Sequence, residues 1–226
     1  MSVIRKLQKK TVPLNERTYR MLKELIVNNS LKPGEWLVES QLAKALGISR
    51  SPVREALVKL ENEHLVEAVP SQGVRVMPIS VKYLNEVYEI REAMEGLAAL
   101  KAAPLITDQD LKSVEAILEE MQVNLDQGDF GAWGVRENDI HNAFVCKVDN
   151  DMLKEAIGKL RDHFSRTIDF GSNFPDHIIA SHKEHREIYR AMETRSPEGL
   201  EKAVRTHVKN VRRRLVAAFN ALQDTN

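Results

Sequence analysis

Residues 37–76 constrain what this chain can become more than any other stretch. Leu42, Ala45 and Leu46 close a first short helix, and Gly47 permits a tight turn. Val53, Leu57 and Leu60 then recur at helical spacing in a second helix. That helix opens over residues 49–52, where Ser49 is expected to accept an otherwise unpaired amide hydrogen and Pro52 has none to leave unpaired. Helix, tight turn and helix at this spacing make a helix-turn-helix. Arg50 and Arg54 sit on the opening turn, where a guanidinium suits a DNA major groove because it grips guanine O6 and N7 with two bonds at once.

Two short strands are expected next, over residues 65–69 and 74–77, joined through Pro70, Ser71, Gln72 and Gly73. Such a hairpin is a wing. Gly73 allows a positive φ and a close approach to a phosphate or minor-groove edge; the plainer alternative is a hairpin that only closes the small domain. Residues 35–37 are expected to add a third strand, with Trp36 partly covering that seam. Upstream, Tyr19, Leu22, Leu25 and Ile26 give an amphipathic helix from residue 14 to about 28, packed behind the two-helix reader. Before it, Arg5, Lys6, Lys9 and Lys10 form a basic arm, read either as a solvated tail or as a source of non-specific phosphate attraction.

Net charge over 226 residues is zero, which looks wrong for a DNA binder until it is divided. Residues 1–80 hold 13 Lys and Arg against 8 Asp and Glu, leaving 20 against 25 for the rest. The positive charge is concentrated where phosphate would be met. One cysteine, Cys146, excludes an internal disulfide and reads as a small core residue. No N-terminal apolar run resembles a secretory signal and no segment is apolar enough to span a membrane, so a reducing cytoplasm is expected.

Pro78 and Ser80 mark a boundary, giving domains over residues 1–78 and 79–226. Beyond it only helices are expected, over residues 81–103, 107–125, 131–148, 151–169, 176–193 and 196–222. The first carries a stripe of Leu84, Val87, Ile90, Met94 and Leu97. The predicted fold is mainly α: a winged helix-turn-helix domain, then an antiparallel bundle of six helices, at most seven.

Six of the seven histidines lie in this second half. Glu137 and His141 are four apart on one helix and share a face. His185 and His207 stand ten or eleven residues either side of the turn at 195–197, so antiparallel helices bring them level. One carboxylate and three imidazoles from three helices suit a divalent transition metal such as zinc, nickel or manganese, with coordination positions left open. The plainer alternative is a surface or hydrogen-bonded core cluster. His163, His177 and His182 fall outside the pattern and read as surface residues or supports of the ligands, while Trp133, Phe144 and Phe164 line a cavity or are simply core. Arg91 offers a two-pronged contact for an acidic ligand, or pairs with Glu95 one turn away.

GEWLVESQLAKALGISRSPVREALVKLENEHLVEAVPSQGVRV resembles the winged-helix domain of GntR-type transcription regulators. The remainder is similar to the all-helical effector (FCD) domain of their FadR-like branch, and together the likeness spans about residues 13–222. It implies DNA contacts at Ser49, Arg50, Arg54 and Gly73 and metal ligands at Glu137, His141, His185 and His207. Ser40 stands where the family usually has an Arg on phosphate, and Glu137 where it usually has Asp. His64 replaces the usual Gly after the recognition helix; since a left-handed cap there costs a non-Gly residue about 1 kcal/mol, a different helix end is expected.

The resemblance implies a homodimeric repressor that binds a near-palindromic double-stranded operator and responds to a small organic acid at or near the metal. Two alternatives remain at this point. A metal-dependent hydrolase or lyase fused to a DNA-binding module would use the same ligands to activate water. An architectural DNA binder would carry an inert bundle.

Overall fold

The computed structural model describes residues 12–224 and divides the chain into two compact units at Pro78 and Ile79. The basic arm predicted at Arg5, Lys6, Lys9 and Lys10 lies outside the described residues.

The first unit contains α1 (Leu14–Val27), β1 (Trp36–Leu37), α2 (Glu39–Leu46), α3 (Arg50–Asn62), β2 (Val66–Val69) and β3 (Gly73–Val76). Its sheet runs β1-β3-β2, with both pairings antiparallel and Glu67 and Trp36 opposite Arg75. The third strand predicted beside the wing is present. Leu22, Ile26, Leu37, Val53, Leu57, Leu60, Leu65 and Val76 form the buried core, in which α1 and β2 both pack against α3. Gly47 ends α2 at φ 65°, a left-handed turn that a glycine enters without a Cβ clash.

Three local features of this unit differ from expectation. Ala43, not Ala45, is the alanine of α2 that reaches the core; Ala45 is exposed. Ser49 caps α3 in an extended conformation without a side-chain hydrogen bond. Pro52 is the third residue of that helix, so one of the two amides an N-cap oxygen ordinarily meets does not exist. Finally, α3 does end on a left-handed residue: His64 has φ 55°, and its neighbour Leu65 donates back to the Leu60 carbonyl at 2.9 Å. The return bond and the burial of Leu65 offset the strain at His64.

The second unit is a helical bundle: α4 (Val81–Ala102), a 3-10 turn (Ala103–Leu105), α5 (Asp108–Asp126), α6 (Phe130–Val145), α7 (Asp151–Gly171), α8 (Pro175–Thr194) and α9 (Pro197–Asp224). Ser80 caps α4 by accepting from the Tyr83 amide, Thr107 and Asp110 form a reciprocal capping box on α5, and Asn150 caps α7 through Leu153. These polar punctuation marks are why the sequence places the boundaries closely. The face of α4 is another matter. Ile90 and Leu97 point outward, while Tyr83, Leu84, Val87, Tyr88, Arg91, Glu95, Gly96 and Ala99 are buried. This inner face is small where α9 crosses it: a Cβ on Gly96 would sit 2.7 Å from the Arg205 Nε. Cys146, expected in the core, is exposed at the end of α6. Among the described residues, no helix is long and apolar enough to cross a membrane.

Candidate metal centre and nucleic-acid interface

Glu137 and His141 lie one turn apart on α6, His185 on α8 and His207 on α9, as helical spacing requires for a shared face. All four are buried, and each offers one ligand atom within 4.8 Å of the others. The ring centroids are 5.5 Å apart for His141 and His185, 5.2 Å for His141 and His207, and 4.6 Å for His185 and His207.

Three buried imidazoles packed together should satisfy one another or find other partners; apart from His207 Nδ1, these find no hydrogen-bond partner among the described residues. The Nε2 atoms of His141 and His207 and both ring nitrogens of His185 have no hydrogen-bond partner. An unpaired buried polar group costs about 1 to 3 kcal/mol, so a cluster left this way is expensive unless something else engages it. Burial, then the neighbouring imidazoles, pushes the His185 pKa well below its ordinary value. Burial also lowers that of His207, against the pull of Glu184. Neutral rings present lone pairs. Nitrogen and oxygen donors bound about 2.0 to 2.2 Å from one ion lie at most about 4.4 Å apart, so atoms already within 4.8 Å of one another need only a small closure to share it. The donor set therefore fits a divalent transition metal, three nitrogens and one carboxylate oxygen.

The groups around the cluster decide which nitrogens are free. Glu184 Oε2 accepts from His207 Nδ1 at 2.9 Å, which directs Nε2 into the cluster. Glu95 Oε2 lies 2.6 Å from His141 Nδ1, an electrostatic contact off the line of an aligned hydrogen bond. Burial by itself would raise the pKa of both carboxyls. Arg91 and His141 bring Glu95 down to about 2, and Arg214 and His207 do the same for Glu184. Trp133 stacks on His185 with ring centroids 5.6 Å apart and fixes its plane. Its indole Nε1 donates to His182 Nδ1 at 3.3 Å.

Arg91 is fully buried beside the cluster, and of the two alternatives foreseen for it the pairing with Glu95 is present. Nε donates to Glu95 Oε1 at 3.0 Å and Nη1 to Glu137 Oε1 at 3.4 Å, while Nη2 has no partner. A guanidinium removed from water needs such pairing. Trp133, Phe144 and Phe164 are all buried, and the last lies 5.0 Å from the Arg91 guanidinium.

His163, His177 and His182 are not surface residues. His163 Nδ1 meets the Tyr83 hydroxyl at 2.9 Å, and His177 Nδ1 accepts from Arg214 Nε at 3.3 Å. Burial takes the His177 pKa down to about 4, so it stays neutral. Helix faces in a bundle touched on several sides hide polar residues that periodicity places outside. The same limit hid Glu184 and the approach of Glu95 to His141. Glu184 adjoins His185 in sequence but projects about 100° away from it around the helix, where its carboxylate reaches Arg214 and the outer nitrogen of His207 on α9.

In the winged unit, Arg50 and Arg54 are exposed one turn apart on α3, and Gly73 opens β3 at φ 112° with space around its α-carbon. Ser49 is exposed at the start of α3, and Ser40, on the first turn of α2, is exposed as well. Helix α2, the tight turn and α3, followed by the wing, have the order of a winged helix-turn-helix.

Residues 14–76 match the family model described as bacterial regulatory proteins, gntR family, and residues 86–210 match the FCD domain. The chain belongs to the GntR family. It is 32% identical over 201 residues to an uncharacterized HTH-type transcriptional regulator, YdhC, of Bacillus subtilis, covering 88% of this chain and 89% of that one. The HTH-type transcriptional repressor RspR of Escherichia coli is 26% identical over 89% of this chain and 88% of its own. Among solved structures, E. coli McbR/YncC superposes with a TM-score of 0.74 at 24% identity, covering 92% of this chain and all of that one, a likeness of fold. This GntR-family chain is a DNA-binding transcription regulator; the matched families and named relatives are regulators, and the hydrolase or lyase alternative is set aside.

Proposed function

We propose that this GntR-family regulator is a homodimeric repressor of the FadR-like branch, whose grip on a near-palindromic operator is controlled by a small organic acid at a metal in the FCD domain. In this reading residues 1–78 bind DNA in the cytoplasm, and residues 79–226 dimerise and sense the acid. Ser49, Arg50, Arg54 and Gly73 contact DNA, the two arginines from the exposed opening of α3 and Gly73 from the wing. Glu137, His141, His185 and His207 hold zinc, nickel or manganese. Repression is the sign of control named for RspR, a relative matched over most of this chain.

The observation that carries the reading is the set of buried, partnerless ring nitrogens converging beside one carboxylate. A bound divalent ion would supply a Lewis-acidic anchor for a carboxylate ligand. Arg91, one of whose terminal nitrogens is unpaired, would meet the same ligand from the α4 side. Glu184 keeps the His207 ring turned, and the Glu95 carboxylate lies against His141. Binding of the acid must favour one arrangement of the protein over another, or it could not change operator affinity.

The test is elemental analysis of the purified chain together with mass spectrometry of any co-purifying acid, followed by titration of that acid against operator binding. One equivalent of metal per chain, lost in His207→Ala, and stoichiometric release from DNA are expected. A metal-free protein that neither takes up zinc, nickel or manganese nor responds to organic acids refutes the sensing half. For the DNA half, Arg54→Ala should weaken a selected operator about tenfold or more while affecting scrambled DNA less. Equal loss on both would make Arg54 a phosphate contact only.

A further inference from the structure

Both arginines of the reading turn are held by one carboxylate from another helix. Glu39 is the first residue of α2, where the helix N-terminus favours an anion. Its Oε1 accepts from Arg54 Nε at 3.1 Å, and its Oε2 from Arg54 Nη2 at 3.0 Å and from Arg50 Nη2 at 3.3 Å. The Glu39 side chain is 24% exposed, against 63% and 65% for Arg50 and Arg54. The anion thus sits behind the guanidiniums rather than in front of them.

Stability is a poor explanation for this arrangement, since exposed ion pairs contribute about 0 to 1 kcal/mol. Discrimination is a better one. Arg54 is gripped through two nitrogens on one edge, which leaves its other terminal nitrogen, Nη1, facing away. A side chain already ordered loses less conformational freedom when it meets a base edge. Two cations and one anion also leave a net charge of one at the turn instead of two, which weakens attraction to phosphate on any sequence.

We propose that Glu39 sets the sequence discrimination of the reading turn, by holding Arg50 and Arg54 in one geometry and cancelling part of their charge. The inference rests on the proposed role of these two arginines in contacting DNA.

The test uses the full chain. Wild-type protein first enriches a preferred duplex from a randomised library, and that duplex and a scrambled one are then titrated across a range of salt. Glu39→Gln should tighten scrambled binding several-fold and steepen its logarithmic salt slope by about one. The preferred duplex should gain less, so the ratio of the two affinities falls. Glu39→Asp keeps the charge but is too short to hold both guanidiniums, and should lower the ratio while leaving the slope as in wild type. An unchanged ratio in both variants overturns the proposal while leaving the DNA reading intact. A Glu39→Asp slope equal to that of Glu39→Gln overturns the charge-cancelling part. If the wild type enriches no duplex, base reading by Arg50 and Arg54 fails, and the role of Glu39 fails with it.

Discussion

Replacing Glu184 by glutamine removes one negative charge and almost no volume, and so tests whether the orientation of His207 matters to the cluster. Four donors converge on this carboxylate. Oε1 accepts from Asn210 Nδ2 at 2.9 Å and Arg214 Nη1 at 2.7 Å, and Oε2 accepts from His207 Nδ1 at 2.9 Å and Arg214 Nη2 at 2.8 Å. Glutamine has one oxygen, so two of these donors must face an amide that is itself a donor. If the amide turns toward His207, the ring loses the acceptor that directs Nε2 inward. If it turns the other way, Arg214 and Asn210 are opposed and the side chain is pushed from its place. Loss of a comparable support behind a metal-bound histidine costs about 10- to 100-fold in affinity, or about 1.4 to 2.7 kcal/mol. Competition for zinc against a chelator of known affinity measures this directly. Glu184→Gln is expected to bind more weakly within that range and His207→Ala to lose far more. If Glu184→Gln binds zinc as tightly as wild type while His207→Ala does not, ring orientation through Nδ1 is not what prepares the ligand.

Stripping metal from the protein should lower the melting temperature of the bundle, since a ligand at about a hundred times its dissociation constant contributes about 2.7 kcal/mol; calorimetry showing no difference between loaded and chelated protein contradicts the metal assignment. Asp110 accepts from the Thr107 amide and pairs with Lys147, contacts that hold its pKa below the ordinary value against the opposing effect of burial. Because the folded value is depressed, its contribution is complete above the unfolded pKa of about 3.9 and is lost as pH falls through the folded one. The acid limb of the stability curve should therefore be shallower in Asp110→Asn, and an unchanged limb removes the group from acid unfolding. His64→Gly should relieve the left-handed strain at the end of α3 and raise stability by about 1 kcal/mol in urea denaturation; a loss would show that the imidazole contributes more than its backbone costs.

Much of this architecture was legible from residue chemistry over short range. Gly47, Ser80, Thr107 and Asn150 mark where helices begin and end because their effect on the backbone is local. The convergence of Glu137, His141, His185 and His207 was legible for a related reason. Helical periodicity fixes the first pair, and the turn between α8 and α9 fixes the level of the second. Local rules failed where two of them competed. Ser49 looked like a side-chain cap and Pro52 like a helix opener, but Pro52 at the third helical position withholds one of the amides such a cap would use.

What the sequence determined by itself is the order of elements, the reading helix with its two exposed arginines, and four candidate ligands on compatible faces. Tertiary packing decided which side of α4 turns inward, and so placed Arg91 and Glu95 beside the cluster while leaving Ile90 and Leu97 outside. It also brought Glu184 to His207 and Glu39 to Arg50 and Arg54. The physical reason is that periodicity specifies which residues share a helix face but not the rotation of that helix against its neighbours. Rotation is set by close contact, such as Gly96 of α4 against Arg205 of α9, and only the folded chain brings those atoms together.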